Sequence, residues 1–83
     1  MKIPNEVNDA FFSGQRSEKI KYIINDTVLL NQGFHKGKEG AVISIEKTEP
    51  EVFYIVEVLD GTGDIVVPQD SLELVIASEV GKK

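Results

Sequence analysis

The sequence predicts a mainly β protein, a five-stranded small barrel preceded by a short N-terminal helix. Three observations predict it. From Tyr22 onward, runs rich in Val, Ile and Tyr recur at short spacing with Gly, Asn and Asp between them. No long helical pattern interrupts these runs, so the strands follow one another as a meander. Finally, a chain of 83 residues without cysteine must draw its stability from a small aliphatic core, and closing the sheet removes the edges it would otherwise expose.

The first element is the helix. Pro4 and Asn5 open it, Glu6 and Asp9 favour the positive end of its dipole, and Gly14 stops it. Val7, Ala10 and Phe11 form one apolar stripe at i, i+3 and i+4. So short a helix does not hold in water alone, so it is expected to dock through Phe11 and Phe12. Residues 15–21 read as a polar connector. The chain thus divides into helix and connector over 1–19, barrel over 20–77, and a disordered polar tail over 78–83.

Strands are expected near 27–31, 40–47, 52–59, 64–67 and 73–76. Gln32 to Glu39 is a long excursion with Gly33 and Gly37 in it. Thr48-Glu49-Pro50-Glu51 is a turn, and Asp60-Gly61-Thr62-Gly63 is a glycine-rich hairpin loop. Pro68 to Ser71 reads as one 3₁₀ turn. The clearest alternation lies in 52–59, where Tyr54, Val56 and Val58 share a face, and Glu57 marks the other face as outward. The core is expected to hold Val28, Leu30, Val42, Ile45, Tyr54, Val56, Val58, Val67, Leu72 and Leu74.

The net charge of −5 is unevenly placed. Residues 1–47 hold seven Lys/Arg and six Asp/Glu, a balance of +1; residues 48–83 hold two Lys and eight acids, a balance of −6. Modules that grip phosphate backbones draw affinity from a basic excess, so the field argues against nucleic acid. The first residues lack the apolar run of a signal peptide, and no stretch approaches the ~20 apolar residues of a membrane span. The expectation is a soluble, cytoplasmic protein with no membrane association.

The most informative stretch runs from Asn25 to Ile45. In it an Asp is followed by alternating apolar residues, a glycine, Lys-Gly-Lys, a second glycine and a closing apolar strand. Asp26, Val28, Leu30, Gly33, Lys36, Gly37, Lys38, Gly40, Val42 and Ile45 hold those places. This stretch resembles the KOW motif of certain ribosomal proteins and transcription-elongation factors. The later strands are similar to those of small uncharacterised bacterial SH3-like domains. The resemblance covers residues 25–45 directly and implies an SH3-like barrel over about 22–76. It also implies that contacts come from the loop, through Lys36 and Lys38, with His35 and Lys21 able to join them. The acidic second half departs from the strongly basic ribosomal members. Gly37 fits a turn with positive φ, and Gly40 is expected at a bend or bulge opening a strand.

No constellation of catalytic chemistry is present. His35 is the only histidine and has no nucleophile motif around it. Asp60, Asp64 and Asp70 follow turn chemistry rather than the spacing of a calcium loop. Gly33 to Lys38 lacks the Ser/Thr and the following helix of a nucleotide phosphate loop. No cofactor and no metal are expected. Phe34 has two readings. It folds back to cap the open end of the barrel, or it projects beside the lysines to stack on a base or fill a partner's pocket. The function expected is a non-catalytic module that binds a protein. The alternatives are a KOW-type RNA or nucleic-acid module and a small accessory or immunity-type inhibitor with an acidic face.

Overall fold

The structure, a computed structural model, describes residues 3–81. Helix α1 spans Asn5–Ser13. The strands are β1 (Thr27–Leu30), β2 (Glu39–Lys47), β3 (Phe53–Val58), β4 (Gly63–Pro68) and β5 (Leu72–Ile76), with a 3₁₀ turn at Gln69–Ser71. All five form one antiparallel sheet in the order β4-β3-β2-β1-β5. β4 and β5 are therefore its two edges, and no ladder joins them among the described residues.

β2 is the spine of the sheet, paired with β1 through Glu39 to Ala41 and with β3 from Gly40 to Lys47. Its register shifts between Val42 and Ser44 and again between Ile45 and Lys47. Such irregularities bend a strand and increase its twist. The sequence placed the bend at Gly40, but Gly40 stands in regular register opposite Val28 and Val58. What Gly40 supplies is closeness. A Cβ there would lie 2.5 Å from a Val56 methyl and 2.8 Å from the Glu57 carbonyl oxygen.

Of the ten expected core residues, Val28, Leu30, Val42, Ile45, Tyr54, Val56, Val58 and Leu72 are buried. Val67 is partly buried and packs against that cluster. Leu74 is a correction: it lies opposite Val28 but is 46 % exposed, because edge strand β5 has no further neighbour to cover it. The core also takes in residues that the strand pattern did not announce. Ile20, Tyr22 and Ile23 enter it from the segment before β1, and Val52 from the turn before β3. Phe11 docks α1 as expected; it is fully buried and stacks on Tyr54 at 6.3 Å between ring centroids. Phe12 only edges onto Phe11 and stays half exposed.

The segment expected as a polar tail makes contacts over its described part. Ser78 is buried and its N–H donates to Asp26 Oδ1 at 2.7 Å. Gly14 adopts φ 86° to end α1, and a Cβ there would overlap the Val80 carbonyl oxygen. The segment after β5 is thus seated against the helix end. Lys82 and Lys83 of the expected tail lie outside the described residues.

Candidate functional site

The loop between β1 and β2 holds the residues that the sequence singled out. Its base is closed by Leu30, whose N–H donates to the Lys38 carbonyl at 2.8 Å and whose carbonyl accepts the Gly37 N–H at 2.7 Å. Within it, Lys36 N–H donates to the Gly33 carbonyl and Lys38 N–H to that of His35. Leu30 itself is buried, so the loop stands on the core. Gly33 and Gly37 have φ of 81° and 91°, which lets the chain reverse twice in so few residues. An added Cβ at either would meet nothing within 4 Å, so backbone conformation rather than space selects glycine here.

Phe34 projects from this frame and is 94 % exposed. It does not fold back over the sheet, and among the described residues its ring contact is an edge-to-face approach to His35 at 5.1 Å. His35 is half buried. Its Nδ1 is buried without a hydrogen-bond partner, as is Asn31 Oδ1 at the start of the loop. Asn31 pins that start to β5: its N–H donates to the Ser71 carbonyl and its side-chain amide to Glu73 Oε2, both at 2.9 Å.

The two lysines part company. Lys36 is exposed on the turn beside Phe34. Lys38 reaches away to the β3–β4 loop, where its Nζ lies 2.9 Å from Asp60 Oδ2 and 3.4 Å from the Thr62 hydroxyl. Asp60 also accepts the Thr62 hydroxyl and N–H. The Thr62 hydroxyl, followed by Lys38 and the Thr62 N–H, holds this carboxyl well below the usual range. Lys38 is therefore a strut between two loops. Lys21 lies on the connector, its N–H donating to Gln69 Oε1.

The structure thus keeps Phe34, His35 and Lys36 together on one turn and directs Lys38 elsewhere. Among the described residues no three of His, Asp and Glu are grouped as a metal ion would require. No helix there is long and apolar enough to cross a membrane. A second surface was not singled out in the sequence reading. On β5, Leu74, Val75 and Ile76 are exposed in succession. The signal was available in the run Leu74-Val75-Ile76, but it reads equally well as core. No family model, curated protein or solved structure matches the chain.

Proposed function

We propose that this chain is a non-catalytic binding module of SH3-like, KOW-type architecture, and that it recognises a protein partner with Phe34 as its anchor. The observation that carries the reading is the placement of Phe34, almost wholly exposed on a loop closed by backbone hydrogen bonds. An aromatic ring left in water contributes nothing to the fold, whereas aromatic anchors dominate the energetics of protein interfaces. A loop already held in shape also loses less entropy on binding.

Support for the architecture comes from the strand order, the irregular β2, and the KOW-like stretch spanning β1, the loop and β2. A sheet bent along β2 has the kind of curvature from which a barrel is built. Support for binding over catalysis comes from His35, whose Nδ1 has no orienting partner of the kind a catalytic base uses. The pairing of Lys38 with Asp60, within a chain of net charge −5, favours a protein over a nucleic acid.

The test is affinity capture from the source cell with the whole chain and with Phe34→Ala and Phe12→Ala. The expected result is a defined protein retained by the parent and by Phe12→Ala. Measured with that protein purified, Phe34→Ala weakens binding at least tenfold, or about 1.4 kcal/mol. Equal binding by all three chains would refute the reading. So would capture of RNA alone, lost with rising salt and on combining Lys36→Ala with Lys38→Ala, which would establish the nucleic-acid alternative.

A further inference from the structure

Asp60 and Gly61 form the single Asp-Gly pair of the sequence, and no asparagine precedes a glycine. Such a pair is chemically vulnerable, because glycine has no side chain to keep its amide nitrogen from the neighbouring carboxyl carbon. The pair sits between β3 and β4, and both residues are exposed. An added Cβ at Gly61 would meet nothing within 4 Å, so no packing restrains the peptide on that side. The carboxylate, by contrast, is held from several directions. Thr62 donates its hydroxyl and its N–H to Oδ1, the latter at 2.9 Å, and Lys38 Nζ lies 2.9 Å from Oδ2. Lys38 also reaches the Thr62 hydroxyl at 3.4 Å, so the two donors support each other. The Gly61 N–H is engaged as well, donating to the Val58 carbonyl at 3.4 Å.

We infer that Asp60-Gly61 is a latent isoaspartate site of this protein, kept closed by Lys38 and Thr62. In the reaction the Gly61 amide nitrogen bonds to Asp60 Cγ. One carboxyl oxygen leaves as water, taking the carboxyl proton and the amide proton. A second water then opens the cyclic imide. Attack at Cγ restores aspartate, whereas attack at the Asp60 backbone carbonyl carbon leaves isoaspartate, with the chain running through the former side chain. Ring closure needs the protonated carboxyl, since an ionised oxygen is no leaving group. The Thr62 hydroxyl, Lys38 and the Thr62 N–H all favour the ionised form. Each pKa unit by which such donors lower an acid cuts its protonated fraction about tenfold. The product carries its free carboxylate directly on Cα and one more methylene in the backbone. That carboxylate no longer stands where Lys38 and Thr62 meet, so isomerisation cuts the strut between the two loops. The site goes beyond the Phe34 reading and does not depend on it.

Peptide mapping by mass spectrometry tests the inference on the full chain, incubated for weeks at about pH 6. The folded parent should form isoaspartate at residue 60 roughly tenfold more slowly, or slower still, than the same chain unfolded in guanidinium. Lys38→Met and Thr62→Val, each checked for folding by dichroism, should speed the folded reaction at least about threefold, since each removes a donor to the carboxylate. The comparison of folded with unfolded parent needs no variant, so it stands even if one of them fails to fold. A parent that isomerises as fast folded as unfolded would overturn the inference. So would folded variants no faster than the parent, because protection would then come from the fold at large and not from these two side chains.

Discussion

Asp26 is fully buried, and four N–H groups converge on its carboxylate. Arg16 donates twice, at 2.5 and 2.7 Å, and the Ile23 and Ser78 N–H groups donate at 2.9 and 2.7 Å. Burial pushes the acid upward, but Arg16 and the two backbone donors outweigh it, so its pKa falls below the usual value. One side chain thereby ties the connector, the turn into β1 and the segment after β5. Arg16 keeps access to water, but Asp26→Ala also leaves the Ile23 and Ser78 N–H groups without their buried acceptor, so it should cost about 2–4 kcal/mol. Set against a net stability of roughly 4–12 kcal/mol for a chain this size, that loss is read as a large fall in the urea midpoint. The pH dependence follows from the same sign. With the folded pKa depressed, the contribution is complete above the unfolded value of about 3.9 and disappears as pH falls through the lower folded value. Asp26→Asn should therefore flatten the acid limb of the stability curve relative to the parent chain, and an unchanged limb would count against the assignment.

The elements divide into those that fold the chain and one that does not. α1 is nine residues long and has no side-chain hydrogen bond at its N-cap, so its hold on the molecule rests on packing. Phe11 supplies most of it, and Phe11→Ala should cost about 3–5 kcal/mol and release the helix, seen as lost helical dichroism and faster amide exchange there. Phe34 is the contrast. Phe34→Ala should leave stability within about 0.5 kcal/mol, because the ring is almost wholly exposed and meets only the edge-to-face His35 ring. A clear loss of stability would mean that the loop tip is structural after all. The same division explains what the sequence disclosed. Strands β2 and β3 were legible because alternation and glycine spacing are local. Leu74 was misread because its pattern resembles that of a core residue, and only the strand order leaves it on an edge. Ile20, Tyr22 and Ile23 were missed because they sit at the end of a polar connector whose inward turn is held by bonds from Tyr22 to the distant Tyr54 and Leu72. Gly33 and Gly37 announced the loop. The direction of Phe34, and the diversion of Lys38 to an aspartate 22 positions onward, depend on contacts that no local pattern carries.

Across the whole molecule, the polar links run through Tyr54 at the centre of the core. Its hydroxyl accepts the Tyr22 N–H at 3.2 Å and donates to Gln69 Oε1. Gln69 in turn accepts the Lys21 N–H, donates its amide to the Lys19 carbonyl, and sends its own backbone N–H to the Val52 carbonyl. Tyr22 closes the far side by donating its hydroxyl to the Leu72 carbonyl at 2.9 Å. Connector, β3 and the turn between β4 and β5 are thus joined through two phenols, both of which must stay protonated to donate. Burial, above all, pushes Tyr54 up to about 12, and burial likewise raises Tyr22. For an acid whose folded pKa lies above its unfolded value, the contribution is complete below the unfolded pKa of about 10 and is lost as pH rises through the folded one. A shift of this size corresponds to a loss on the order of 2–3 kcal/mol by pH 12. Melting temperature should accordingly fall above about pH 10. Tyr54→Phe should begin less stable at neutral pH, having lost the bonds to Tyr22 and Gln69, yet decline less steeply through the alkaline range. Parallel alkaline limbs for the two chains would show that the link through Tyr54 does not govern stability there.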